Sequence, residues 1–486
     1  MAVLTLDRLR PAAGRLLGTL LALAGPRRDA FLVGGAVRDA LLGRGGADLD
    51  VTVPSGALDL ARRLADRLGG VVVPLDDERG TARVLAPAGR VDLADFRAPS
   101  LDEDLAARDF TVNALAVALR PLVRAGRAPI VDPTGGLADL RARRLRLAGP
   151  RALEDDPVRA LRAVRLEQAL GFRLVPASAR AIRAAAPALA RASAERRREE
   201  LLAWLALSRA AAALRSADRL GVLAVLMPEV EAMRATPQPA PHRFDVLEHS
   251  LRAVAAADLL VARAAALAPF GEDLAAHLAQ TLGGGVSRGQ VLKLAALLHD
   301  VAKPETRRVE GRRVHFFGHD VVGAGRVRAI GRRFRLPGAA VDVLERLVRH
   351  HLRPMHLAAS ATLTPRARWR FYRDLGPDTR DLLLLVLADA AAVRGQSPLR
   401  LWPRARLLRE LMAGWAEQAQ AAAAPPLVRG GDVMARFGLA PGPEVGRLLE
   451  RAREAQDLGV VRTRDEALAF LDSVRAAADN TAASRP

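Results

Sequence analysis

The chain has 486 residues, half of them hydrophobic and 3% aromatic, with a formal net charge of +20. That length exceeds one ordinary domain, and the basic balance suits a polyanionic partner such as RNA. There are no cysteines, which excludes disulfides, zinc–thiolate sites and thiol nucleophiles, and no uncharged apolar run reaches the length of a membrane span.

Residues 1–28 read as a helical segment. Asp7, Arg8, Arg10 and Pro11 interrupt its apolar pattern, so no signal peptide is read and a cytoplasmic location is expected. From Phe31 to Val53 the chain runs FLVGGAVRDALLGRGGADLDVTV, which reads as strand, turn, helix, loop, strand. Gly34 and Gly35 let the backbone turn sharply and approach a ligand. A helix opening at Ala36 offers free N–H groups to a phosphate, and Arg38 in its first turn adds a fork of donors. Asp48 and Asp50 fall on one face of the next strand. Paired carboxylates suit Mg²⁺, which also binds substrate phosphates. Taken singly, a Gly-Gly turn or a solvated Asp-x-Asp strand end would be ordinary.

The ordered set GGAVRD, LLGR and DLDV resembles the signature of the class II tRNA nucleotidyltransferase and bacterial poly(A) polymerase family. The resemblance implies that Gly34, Gly35 and Arg38 hold a nucleoside triphosphate and that Asp48 and Asp50 carry catalytic Mg²⁺. It also implies the small mixed sheet of a polymerase β-like head domain over residues 29–150. Within that head, Leu58 to Leu68 is an amphipathic helix, and VVVP, TARVLA and RVDLADF are short strands. Asp92 is either a third carboxylate beside the pair or an exposed strand residue. RDFTVNAL resembles the family's second motif, implying nucleotide contacts for Arg108, Asp109 and Asn113; as local structure it reads as a capped helix from Val112 to Leu119. Ala107 stands where most relatives have an arginine. Only Ala98, Pro99 and Ser100 separate Arg97 from Leu101, a short connection resembling relatives that add only CC. VDPTGGL from Val131 reads as a structural turn with a helix starting near Leu137.

In LEDDPVRALRAVRLEQALGF, Asp156 and Pro157 read as N-cap and first residue of a helix. Arg159, Arg162 and Arg165 then form one ridge. The stretch resembles the family's base-selecting motif, with Asp155 where many relatives have Glu. It implies that Asp156 and Arg159 choose CTP or ATP, and that Arg162 and Arg165 lie near the triphosphate. Residues 151–235 form a helical neck that could carry tRNA, and 236–241 a linker. The charge itself is nearly all arginine, with Lys293 and Lys303 the two lysines. A GC-rich genome would produce that bias regardless of function.

From 242 to 395 the histidines cluster. An Asp at position 389 inside LLLLVLADAAA is costly to bury unless paired or bound to a cation. LLHDVAKP with HFFGHD resembles an HD phosphohydrolase domain. The resemblance implies a divalent metal on His249, His299, Asp300 and Asp389, with His319 and His350 as candidates for a second ion. Residues 271–288 read as a loop insertion, 396–476 as a helical tail, and 477–486 as disordered. The whole is expected to be an α+β head followed by a mostly α-helical neck, body and HD domain. The expected activity is template-independent addition of CCA to tRNA from CTP and ATP, with no obligate protein partner. Alternatives are CC addition alone, a poly(A) polymerase, a metal phosphohydrolase with a degenerate head, and a protein that only binds tRNA. The Arg-rich signature of poly(A) polymerases is absent after LLGR, where Gly45 and Gly46 follow.

Overall fold

The computed structural model describes residues 2–45, 48–78, 80–359, 363–422 and 424–483. Gly46 therefore lies outside the described residues. The chain divides into two compact units, Met1–Leu207 with Ala212–Leu226, and Ser208–Ala211 with Met227–Pro486.

The first unit holds one eight-stranded mixed sheet. Its strands are β1 Val3–Thr5, β2 Phe31–Val33, β3 Asp48–Val53, β4 Val71–Asp76, β5 Thr81–Ala86, β6 Gly89–Asp95, β7 Ala116–Ala118 and β8 Arg127–Val131. They lie in the order β1-β8-β7-β2-β3-β6-β5-β4. All pairs are antiparallel except β3 with β6. That parallel pair sets Asp50 directly opposite Asp92. The helices Pro11–Ala24 and Ala57–Leu68 bury Leu17, Leu20, Leu60 and Leu64 against Val51, Val53, Val84, Val91 and Leu93. The alternating burial of β3 and β6 is what aims the carboxylates at the opposite face.

Two expectations change here. The segment 1–28 is not all helix, because Leu4 is fully buried and Val3–Thr5 pairs with β8. The helix expected from Val112 to Leu119 is instead a 3₁₀ turn, Thr111–Asn113, followed by β7. A short apolar run fits either element, and pairing on both sides, with β2 and β8, decides for the strand. Beyond the sheet the unit is mostly helical, with Arg159–Leu170 and Ala194–Ala206 packed together and one short parallel pair, Arg144–Leu145 with Arg173–Leu174.

The second unit packs helices Val246–Ala262, Arg288–Leu298, Gly338–His350 and Thr379–Arg394 around Leu251, Val254, Leu294, Leu344 and Leu384. The stretch expected as a loop insertion folds in its first half as helix Gly271–Ala279. It is pinned by buried polar groups: His277 Nε2 lies 2.6 Å from Asp381 Oδ2, which also accepts from Arg288 Nη1 at 2.6 Å. Gly283, Gly284 and Gly285 then turn with positive φ. Toward the C-terminus Val433, Leu448, Ala467 and Leu471 share a small core. The last helix, Arg464–Ala483, continues through 477–483, where disorder was expected; its alanines favour helix. Residues 484–486 lie outside the described residues. Among the described residues no single helix is long and apolar enough to cross a membrane.

Candidate active site and metal centre

Strand β2 ends in a turn that requires glycine. Gly34 has φ +69°, and a Cβ there would sit 3.2 Å from Asp50 Oδ2 and 3.4 Å from Arg108 Nη1. The helix Gly34–Leu41 begins at once. A cavity of about 1220 Å³ opens over this turn. Gly34, Gly35, Asp50, Asp92, Arg108, Asp109, Asn113, Asp156, Arg159 and Arg162 line it. Most of the site residues expected in this half of the chain therefore share one room.

Asp48, Arg38 and Arg165 are not among the lining residues. Asp48 is exposed at the start of β3 and pairs with Arg90. Arg38 is buried and spends its guanidinium on Asp39, at 2.8 Å from each oxygen, and on Asn113 Oδ1. It ties the helix that follows the turn to Asn113. Asp92 is held by Arg83 through two hydrogen bonds of 2.8 Å. Burial, then the charge of Asp92, raises the carboxyl pKa of Asp50. Crowded carboxylates of this kind are the environment a cation relieves.

Asp109 is a junction. Its Oδ1 accepts from the Phe110 N–H at 2.8 Å and from Asn113 Nδ2 at 3.0 Å, and its Oδ2 accepts from Arg162 Nη1 at 3.1 Å. Burial pushes its carboxyl up, but Arg162 and these hydrogen bonds outweigh that and bring it down to about 2. Asp156 lies between helices Ala152–Asp155 and Arg159–Leu170. Its Oδ1 accepts from the Val158 N–H at 3.1 Å, but the N-cap of the second helix is Val158 rather than the expected Asp156, because Pro157 and Val158 form a turn before the helix begins at Arg159. Its Oδ2 accepts from Arg196 Nη2 at 2.7 Å. Arg159 is buried and donates from Nη1 to the carbonyls of Arg108 and Ala152. Arg162 and Arg165 both reach the buried Glu200, Arg165 Nε at 2.9 Å. In the sequence the run Arg196–Arg198 reads as a solvated helix face or a phosphate contact, and Glu200, one turn beyond Arg196 on the helix Ala194–Ala206, gives no signal of its own.

The second unit gathers the histidines. His249 Nε2 lies 3.0 Å from Asp389 Oδ1, and His299 Nε2 lies 3.2 Å from Asp300 Oδ2. His319 Nε2 and His351 Nε2 lie 3.3 and 3.7 Å from Asp300 Oδ1. Two groups thus form, His249–His299–Asp389 and Asp300–His319–His351, with ligand atoms within 4.8 Å of one another in each. His299, His319 and His351 each direct Nδ1 at a backbone carbonyl three residues back, at 3.1, 2.7 and 2.7 Å. A carbonyl only accepts, so Nδ1 carries the proton and Nε2 keeps its lone pair. His249 Nε2, His299 Nε2, Asp300 Oδ2 and Asp389 Oδ1 are buried without a well-formed hydrogen bond, although Lys303 Nζ comes within 2.7 Å of Asp300 Oδ2. Buried groups in that condition fit a bound cation.

His350 is not in either group; it is half-buried, and His351 takes the place expected for it. Asp389 is less buried than its apolar helix suggested, with 23% of its side chain exposed. His242 was also missed. Its ring meets that of His249 edge-on with 4.9 Å between centroids, and it borders a pocket of about 420 Å³ with Gln238 and Phe244.

Known proteins share these parts. Residues 30–146 match the poly A polymerase head domain, 171–234 a probable RNA and SrmB-binding site of polymerase A, and 246–393 the HD domain. The chain is 40% identical to the A-adding tRNA nucleotidyltransferase of Deinococcus radiodurans, over 91% of this chain and 94% of that protein. It is 36% identical to the CC-adding tRNA nucleotidyltransferase of Thermus thermophilus, over 91% and 93%. It is 31% identical to the multifunctional CCA protein of Pseudomonas paraeruginosa, over 87% and 96%. A solved structure of a CCA-adding enzyme with ATP has the same fold, with a TM-score of 0.65 at 20% identity over 96% of this chain and 97% of that one. With relatives this similar along almost their whole length, the chain belongs to the tRNA nucleotidyltransferase family.

Proposed function

We propose that this chain builds the 3′ end of tRNA, adding C, C and A from CTP and ATP and releasing pyrophosphate. The observation that carries this reading is the single cavity in which the glycine turn, the carboxylates Asp50 and Asp92, and the pair Asp156 and Arg159 face one another. Cytosine and adenine each present an amino donor beside a ring-nitrogen acceptor on the pairing edge; uracil and guanine present a carbonyl beside an N–H. A carboxylate accepts from the amine and a guanidinium donates to the ring nitrogen. Asp156 and Arg159 would therefore select C and A together, with no template.

Asp50 and Asp92, opposite one another on β3 and β6, with Asp48 at the strand start, would hold Mg²⁺. The crowding of Asp50 by Asp92 fits a cation, although the head carboxylates do not close into so tight a group as the histidines among the described residues. A bound ion there lowers the pKa of the RNA's terminal hydroxyl and neutralises charge on the departing pyrophosphate. The chain's own part is positioning: the Gly34–Gly35 backbone and Arg108 take the phosphates, and Asp109 holds Arg162 at the cavity wall. In the second unit, His249, His299, Asp300 and Asp389 would hold a divalent metal, with His319 and His351 beside it.

A second reading is half of the reaction, C,C or the final A alone. The short link between β6 and the helix Leu101–Ala106 favours C,C addition, and relatives are named for A addition as well as for CC addition. Incorporation of labelled CTP, ATP or both onto tRNA lacking its CCA separates the readings. Two C followed by one A is the expected outcome. C,C alone, or A added only to a tRNA ending in CC, would replace it with the second reading, and long A tracts would overturn both.

A further inference from the structure

We infer that Arg196 is a specificity-positioning residue: by holding Asp156 Oδ2 it fixes the plane in which that carboxylate meets the base, and so sets the preference for C and A over U and G. The inference rests on the reading that Asp156 and Arg159 face the nucleotide base.

The two members of that pair are anchored differently. Arg159 is buried and tied by Nη1 to two backbone carbonyls, of Arg108 and Ala152. Those acceptors belong to the chain path and keep the guanidinium in place. Asp156 sits in extended conformation in the break between two helices, with φ −154° and ψ 99°. One anchor is local, the Val158 N–H on Oδ1 at 3.1 Å. The other comes from a different helix, Arg196 Nη2 on Oδ2 at 2.7 Å. Arg196 itself lines the cavity, with 48% of its side chain exposed. Its backbone is placed by the Ser193 cap at the start of the helix Ala194–Ala206.

Each carboxylate oxygen accepts two hydrogen bonds. With Val158 and Arg196 in place, both oxygens keep one acceptor site, and the carboxylate plane is set by two points. A base amine can then bind without displacing either anchor. Without Arg196 one anchor is left, and the carboxylate is free to rotate. A second guanidinium, that of Arg159, has its Nε 4.0 Å from Asp156 Oδ2. Turning toward it would pair the two readers with each other. The donor–acceptor pattern offered to the base would blur, while the phosphate and carboxylate end of the cavity would be untouched.

The test is kcat/KM for CTP, ATP, UTP and GTP on tRNA lacking CCA and on tRNA ending in CC. In Arg196→Ala the ratio of accepted nucleotide to UTP and GTP should fall by about tenfold or more, the scale of one lost charge-assisted hydrogen bond. Arg196→Lys, which keeps a donor and the charge, should fall less. A purely structural role would slow all four nucleotides by one factor and leave the ratio unchanged; that result overturns the proposal. Asp156→Ala is measured alongside. If it loses discrimination while Arg196→Ala keeps it, the role of Arg196 falls and the base-reading role of Asp156 stands. If Asp156→Ala itself keeps discrimination, both fall.

Discussion

Two histidines stand side by side at 350 and 351, and the fold uses the second. His351 directs Nδ1 to the Val348 carbonyl at 2.7 Å and brings Nε2 to 3.2 Å from His319 Nε2. His350, half-buried, lies among Arg349, Arg353, Asp374 and Asp320, and burial followed by Arg353 lowers its pKa. On a helix, neighbouring residues point about 100° apart. Which of the two faces Asp300 depends on how the helix Gly338–His350 is rolled against its neighbours, and no local pattern records that roll. The chemistry of the cluster was legible in the sequence for a different reason. His249 and Asp389 interrupt apolar helices, His299 and Asp300 close another and His319 opens a fourth, in an order that core packing alone does not require. The expected outcome is that His351→Ala retains less divalent metal per chain after dialysis, by about one ion, while His350→Ala retains the full amount. Metal content by atomic emission decides it, and equal loss in both variants would remove His351 from the site.

At the scale of elements, the segment from Arg108 to Leu119 shows what a short apolar run conceals. Its motif residues were legible, but its conformation was not, because β7 is set between the nearby β8 and β2, which lies far back in the chain. The same holds for β1, whose partner β8 is more than a hundred residues away. By contrast β2, the glycine turn and β3 follow from adjacent residues and were read correctly. Asp109 joins this segment to the helix Arg159–Leu170 through Arg162, and its carboxyl is held at about 2 against a reference of 3.8. A depressed folded-state pKa contributes stability above the unfolded value and loses it as pH falls through the folded one. A shift of this size corresponds to about 2 kcal/mol. Asp109→Asn should therefore be less stable than the parent by about that much from pH 8 down to pH 5. The difference should narrow below about pH 4, as the parent's carboxylate begins to protonate. Denaturant unfolding across that range is the measurement, and a difference independent of pH would mean that shape, not charge, is what Asp109 supplies.

At the scale of the molecule, the two sets of candidate metal-binding residues belong to different compact units. Asp48 and Asp50 lie in the first, on a sheet with its own core. His249, His299, Asp300 and Asp389 lie in the second, on or just beyond helices packed around Leu251, Leu294, Leu344 and Leu384. No residue serves both. Substitution in one set should then leave the other intact. Asp48→Ala with Asp50→Ala should lower nucleotide addition by about a thousandfold or more, because several kcal/mol of charge stabilisation depend on the ion they would hold. The second unit's metal content should stay at the parent level. Asp389→Asn, which keeps the shape of a partly exposed side chain, should release metal from the second unit and leave CTP and ATP incorporation near the parent rate. The two variants make the test symmetric: each must lose one property and keep the other. If Asp389→Asn stopped nucleotide addition, the histidine cluster would have to be counted as part of the transferase rather than as a second site. If the head variant lost metal from the second unit, the two sets would be coupled, and the independence that the separate cores argue for would be wrong.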